Sequence, residues 1–441
     1  MSTDLTRIGE KARKEPKLVF TSLHHHVYDV DNLRSCYGDL GKDKAVGVDG
    51  VTKEQYGENL EENLQDLSCR LRDMKYKPQP KRRVYVPKPG SAKGRPLGIS
   101  CFEDKIVEEA VKRVLEQIYE TIFEDSSFGF RPGRNQHQCL GKLGETIQQK
   151  RVSYIAEADI KGFFNHVNHL WMIKFVQHRV GDPRIIRIIN RMLKGGIMED
   201  GLVTASEEGT PQGSILSPLL SNIYLHYVLD LWFRCVFAKQ CQGEAYYFRY
   251  ADDYLACFQY KRDALLFMAQ MKSRLAKFSL EVAEDKTQCI EFGRFARDNA
   301  RKQGQKPKEF IFLGFTHYCG KTMRGYFKVK RRTSRKKLNA SINKFTDWAR
   351  RSRGALKTGE MIKSARTRVI GHLNYYAITD NADKCGTFLY HAEQSLFKWL
   401  NRRSQRKSYT WEGFRQALEM VHWPKVEICK DLNPFRRAEA I

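Results

Sequence analysis

The chain has 441 residues, 41% hydrophobic and 12% aromatic, with a formal net charge of +26 and a pI near 9.6. That apolar content excludes a disordered chain, and the length predicts two or three domains rather than a single core. A surplus of this size repels itself and implies a polyanionic partner; nucleic acid fits better than a membrane, because no basic helix carries a clean apolar face.

No apolar run reaches the roughly 18–20 residues needed to cross a bilayer. The start, MSTDLTRIGEKARKEPK, lacks the apolar stretch of a secretory leader. The eleven cysteines form no C-x-x-C pair, so a structural zinc site is not expected and a reducing, cytoplasmic setting is.

Residues 1–80 read as polar and helical, with LEENLQDLSCRLRDM the clearest amphipathic stretch. His24, His25 and His26 are consecutive and cannot all face one ion, so a polar helix or loop is expected there. KRRVYVPKPGSAKGRPLGIS, at 81–100, predicts a strand, a Pro/Gly turn and a second strand, cationic throughout. A helix is predicted from Glu103 to Tyr119, followed by the loop SSFGFRPGRNQHQ. SYIAEADIKGFF predicts a strand, HLWMIKFVQHRV a helix, and another helix follows Pro218. YYFRYADDYLACF, at 246–258, predicts a hairpin; a helix follows from about Lys261 to Phe278, and 294–309 reads as a loop or insertion. The order is α+β rather than a regular alternation.

From Lys321 onward the character changes: 28 Lys and Arg face 10 Asp and Glu, so +18 of the charge lies in the last 121 residues. KVKRRTSRKK is a dense cluster, and SLFKWLNRRSQRKSYTW interleaves cations with Phe397, Trp399, Tyr409 and Trp411. Such a helical region can hold phosphates and stack bases.

Asp252 and Asp253 are adjacent like charges at the expected hairpin turn. A turn alone explains them only if Asp takes up left-handed geometry, and Asn-Gly or Asp-Gly would serve better. Asp159 lies in an apolar strand-like run, where a carboxylate is costly unless it is paired or metal-bound. One acid on a strand and two at a hairpin can converge on two divalent cations, and carboxylates with phosphates suit Mg²⁺. Two such ions stabilise both the attacking and the leaving oxygen in phosphoryl transfer.

The same residues carry a family resemblance. The chain resembles the group II intron type of reverse transcriptase, the bacterial intron-encoded reverse transcriptase/maturase, over nearly its whole length. YADD (250–253) resembles polymerase motif C, ADIKGFF (158–164) motif A, and GTPQGSILSPLLSNIYL (209–225) the motif B of this lineage; GFRPGR (129–134) and the primer-gripping FLGF (312–315) are further hallmarks. The resemblance implies a right-hand polymerase: a helical extension of the fingers over 1–80, fingers and palm with an antiparallel sheet over 81–320, and a basic α-helical thumb/maturase domain over 321–441. It implies RNA-directed DNA synthesis with two Mg²⁺ ions, Mn²⁺ able to substitute, held by Asp159, Asp252, Asp253 and the Ile160 carbonyl. Lys286 would be the general acid for pyrophosphate. Lys88, Arg95, Phe164, Gln212 and Gly213 would bind the deoxynucleotide, Phe164 as the ring that excludes a 2′-hydroxyl.

Arg131, Arg134, Leu313, Gly314, Lys328, Lys330, Arg331, Arg332, Arg335, Lys336, Arg402 and Arg403 are expected to contact template, primer or structured RNA. Partners follow: an RNA template, intron or noncoding RNA, a DNA primer or target, and dNTPs, without a membrane. Splicing assistance and retrohoming are expected beside synthesis, the alternative being a chain that is chiefly an RNA-binding splicing maturase. Recruitment to antiphage defence or CRISPR spacer acquisition would use the same active-site residues. Motif A departs from relatives at Asn165, where Asp is usual, and tuned rather than abolished chemistry is expected. No Cys/His-rich nuclease module follows, so second-strand DNA cleavage by this chain alone is not expected.

Overall fold

The computed structural model describes residues 5–87, 94–199, 202–204, 208–210, 213–403 and 408–434. Its centre is a four-stranded sheet in the order β6-β7-β3-β8, formed by β3 (Tyr154–Ala158), β6 (Ala245–Tyr250), β7 (Asp253–Phe258) and β8 (Gln288–Glu291). All its pairings are antiparallel, and both faces are covered. Alternation sorts the side chains. Ala156, Ala158, Tyr254, Ala256 and Phe258 point into a large core shared with the helices Phe102–Tyr119, Ser217–Leu225 and Lys261–Ala276. Ile155, Leu255, Cys257, Phe248 and Ile290 point the other way, onto the helix Gln136–Gln149 and a second sheet.

That second sheet, β11-β10-β9, comprises β9 (Phe310–Phe312), β10 (Phe315–Lys321) and β11 (Phe327–Thr333). A third sheet, β2-β1-β4-β5, joins β1 (Lys81–Val86) and β2 (Arg95–Ile99) to β4 (Ile197–Glu199) and β5 (Leu202–Thr204). β1 and β2 pair antiparallel, as their sequence predicts. Residues 5–80 contain short helices, including one at His24–Tyr28, and the segment expected to be loop contains the helix Ala296–Lys302. After β11, the helices Arg335–Ala355, Thr358–Tyr376, Ala382–Leu400 and Trp411–Met420 share a separate apolar core. No helix among the described residues is long and apolar enough to cross a membrane.

Candidate active site

The register of β3 on β7 decides whether the acids meet. Ala158 lies opposite Tyr254 and Glu157 opposite Leu255, so continuing by one pair brings Asp159 opposite Asp253, on the same face. Asp252 belongs to the two-residue loop that closes β6 and β7, since Tyr250 pairs with Asp253. The left-handed residue of that turn is Ala251, with φ of 58°. Asp252 is therefore not there to supply left-handed geometry, and the plain turn explanation for it fails.

The three carboxylates sense one another. Crowding by the surrounding protein, then the charges of Asp252 and Asp159, pushes the Asp253 carboxyl up to about 6, although the residue itself is exposed to solvent. Asp252 is also raised, by burial first and then by Asp159, against the pull of its own backbone amide and of Arg95 and Arg249. Glu157, one position inward on the face of Asp159, is raised by burial, with Asp253 and Asp159 adding to it. Like charges so placed favour a bound cation.

The oxygen donors suit a hard divalent ion, yet they do not form a finished cage. Among the described residues, no three Asp, Glu, His or Cys side chains are drawn together tightly enough to hold an ion. Instead Lys286, on the turn Glu284–Lys286, forms an ion pair with Asp159. That bond raises the lysine pKa further and places its ammonium at the cluster. The Asp159 carbonyl accepts from Ala283 N–H and the Lys161 N–H donates to the Glu281 carbonyl, both at 2.8 Å. In this antiparallel bridge, Ile160 faces Val282 without exchanging those bonds, so its carbonyl lies on the edge away from that strand.

A buried brace that the sequence did not announce holds the hairpin turn. Arg249, on β6, is fully buried and makes a bidentate pair with the equally buried Asp230, at 2.8 and 2.6 Å. Its Nη1 also donates to Asn222 Oδ1 (2.8 Å) and to the Ala251 carbonyl (3.0 Å). Asn222, from the motif B helix, turns its amide to the Gly129 carbonyl at 2.8 Å. A Cβ on Gly129 would collide with the backbone nitrogen of Ala251, which requires glycine there. The available signal was a lone cation at an alternating position of an otherwise aromatic strand.

A second brace ties the β1–β2 sheet to the segment before the Ser217–Leu225 helix. Glu108 accepts from Lys81 Nζ (2.9 Å), Ser100 Oγ (2.8 Å) and Ile215 N–H (2.9 Å), tying β1 and β2 to the motif B segment. Gly213, with φ of 107°, packs against the Gly98 carbonyl of β2. The missing side chain of Gly213 thus makes room for protein backbone. Arg95, at the start of β2, is exposed and close enough to Asp252 to lower its pKa. Phe164 is half-buried, and its carbonyl accepts from Thr210 N–H at 2.7 Å. Lys88 and Gln212 lie outside the described residues.

Several expected nucleic-acid contacts are spent on the fold. Arg131 is buried and bonds Glu120 and the carbonyls of Glu124 and Ser127, so its donors do not face a phosphate. Arg331 is buried against the Leu140 carbonyl (2.8 Å), and loss of water pulls its pKa down to about 10. Both expectations are corrected to structural roles. Arg134 bonds Asp125, Lys328 bonds Asp380, Arg332 bonds Glu309, and Arg403 caps the Leu356 carbonyl. Lys330 is half-buried, its stem lying along Gly320. Arg335, Lys336 and Arg402 are exposed.

Lys337, absent from the expected set, stands near enough to Asp253 to lower its pKa, and it lies beside Gly314 in the turn linking β9 and β10. In that turn Leu313 and Gly314 are both left-handed, at 49° and 81°. The Leu313 carbonyl accepts from Tyr375 Oη at 3.0 Å.

The chain is 38% identical over 231 residues to the group II intron-encoded protein LtrA of Lactococcus lactis subsp. cremoris, covering 52% of this chain and 38% of that protein. It is 39% identical over 187 residues to the protein YkfC of Escherichia coli K12, covering 41% and 48%. It is 30% identical over 95 residues to nuclear intron maturase 1, mitochondrial, of Arabidopsis thaliana, covering 21% and 13%. The chain spans less than half the length of each of these relatives. A family model described as reverse transcriptase (RNA-dependent DNA polymerase) matches residues 86–317. That span is more than half of the sequence and takes in all three clustered aspartates, so the chain belongs to the reverse transcriptase family.

Proposed function

We propose that the chain extends a DNA or RNA primer on an RNA template, and that Asp159, Asp252 and Asp253 hold two Mg²⁺ ions for the transfer. The register that sets Asp159 opposite Asp253 beside the Asp252 turn carries this reading. When bound, the ions would acidify the primer 3′-hydroxyl and offset charge on the departing pyrophosphate. The protein's own groups do the rest. Asp159 and Asp252 with the Ile160 carbonyl would be the ligands, Asp253 supporting. Arg95, with Lys88 from the sequence, would clamp the triphosphate.

Lys286 keeps a proton at the cluster through its pair with Asp159 and would deliver it to pyrophosphate. Phe164, held at the backbone by Thr210, would close off space for a 2′-hydroxyl. Residues 1–80 would extend the fingers, 81–320 form fingers and palm, and 321–441 form the thumb/maturase domain.

Primed RNA, dNTPs and Mg²⁺ test this directly. Wild type extends the primer, and a Phe164→Ala variant begins to accept ribonucleotides. Absence of extension by the wild type across several buffers would refute the reading.

A second role, assistance to splicing of an intron RNA and its retrohoming, is supported by the solvent-facing cations of the C-terminal helices. Lys337, Lys344 and Arg351 recur every seven residues and are exposed on one face of the Arg335–Ala355 helix. Such a stripe suits the phosphates of structured RNA. If the role is separate, a protein with both hairpin aspartates changed to alanine still promotes splicing of its cognate intron.

A further inference from the structure

GFRPGR was expected to touch nucleic acid through its arginines, and the structure turns those inward. Arg131 is buried against Glu120, and Arg134 is tied to Asp125. The loop presents Phe130 to solvent, 58% exposed, beside the exposed Pro132. Its backbone is left-handed, with φ of 55°, a conformation that bulky side chains rarely adopt and that glycine would take without strain. An exposed aromatic ring in a strained backbone serves neither the core nor the turn, and strain of this kind collects at functional sites.

Its position is fixed from both sides. Residues 126–128 run parallel to β6: Arg249 N–H donates to the Ser126 carbonyl and Phe128 N–H to the Arg249 carbonyl, both at 2.9 Å. Ser127 lies beside Arg249, and two residues on Gly129 touches the backbone of Ala251, so Phe130 is the next residue after the one packed on the turn that carries Asp252. The bond from Asn222 to the Gly129 carbonyl holds that contact.

Building on the polymerase reading, we propose that Phe130 is an apolar platform for the primer–template, packing on a base or sugar next to the reacting end while the arginines of its own loop hold it in place. A base stacked on an aromatic ring gains affinity whatever its sequence, which suits a site that must accept every nucleotide.

The test uses the full chain and a fluorescent DNA primer annealed to an RNA template. Duplex affinity is read by anisotropy without dNTPs, and product length per binding event is read with dNTPs and a trap. Phe130→Gly is expected to leave the melting temperature unchanged or raise it, to weaken duplex binding about 5- to 100-fold, and to shorten the products. Phe130→Trp retains most of the affinity. Binding by Phe130→Gly within about twofold of wild type, or affinity lost only together with thermal stability, would overturn the proposal. A wild-type protein that extends no primer removes the polymerase reading, while the anisotropy comparison still decides the role of Phe130.

Discussion

Arg249 and Arg351 carry the same charged group to opposite ends. Arg249 sits inside the central sheet, its guanidinium spent on Asp230, Asn222 and the Ala251 carbonyl, while Arg351 stands in water on a C-terminal helix. Arg131 and Arg331 side with the first, and Arg335, Lys336 and Lys344 with the second. A cation contributes to nucleic-acid affinity only when the fold has not already consumed its donors. Within the central sheet Arg249 holds the Asp252 hairpin in shape; in the last quarter Arg331 is likewise consumed by the fold, while Arg335 and Arg351 on the C-terminal helix stay in solvent, available to a phosphate backbone.

The comparison can be broken most severely at the acids the braces support. Asp252→Asn with Asp253→Asn is expected to lower primer extension by about a thousandfold or more, with RNA binding nearly intact by filter retention. Next comes the brace itself. Arg249→Met leaves Asp230 buried without its partner and should cost about 3–5 kcal/mol in urea unfolding, with extension falling alongside.

Arg331→Met sharpens the contrast between buried arginines. Arg331 Nε has no hydrogen-bond partner, so removing it should be neutral or stabilise the protein by about 1–2 kcal/mol. An outcome as costly as Arg249→Met would mean that the two buried arginines are alike.

On the exposed side, changing Lys337, Lys344 and Arg351 together to alanine should reduce the slope of log affinity against log salt by about 2–3 for duplex nucleic acid, leaving the melting temperature in place. Arg131→Gln should do the reverse, lowering stability without changing the slope.

The smallest effect concerns pH. Burial pulls His226 and His372 down to about 4. Between about 4 and 6.5 the unfolded chain therefore binds protons there that the folded chain refuses, so the stability these two groups contribute rises with pH across that window and is lost on acidification. The carboxyls of Asp104 and Asp253, pushed up to about 7 and about 6, act in the opposite direction over the same range, so the imidazole effect is read by difference. From pH 7 to pH 5 the urea midpoint of His372→Phe should fall less, or rise more, than that of the wild type.

The cluster of acids was legible in the sequence because acids at a strand end and a hairpin turn are local features. The pattern of YYFRYADDYLACF marked β6 and β7, and the Pro/Gly punctuation of 81–100 marked β1 and β2. Contacts between segments far apart were not legible. Nothing local said that Asp230 and Asn222 would meet Arg249, or that GFRPGR would bury its first arginine and expose its phenylalanine. Arg331 was misjudged for a related reason: a strand alternates, so one face of KVKRRTSRKK turns inward whatever its charge. Lys286 was legible as a cation near the site, but its pairing with Asp159 needed three dimensions.

The central claim is that aspartates separated by some ninety residues hold the same ions, and iron-directed cleavage tests it most directly. Fe²⁺ loaded in place of Mg²⁺, with ascorbate and peroxide, should cut the backbone near both 158–161 and 250–254, and added Mg²⁺ should suppress both sets of cuts together. Cleavage at only one of the two segments, or cuts that Mg²⁺ does not compete away, would contradict a shared metal site.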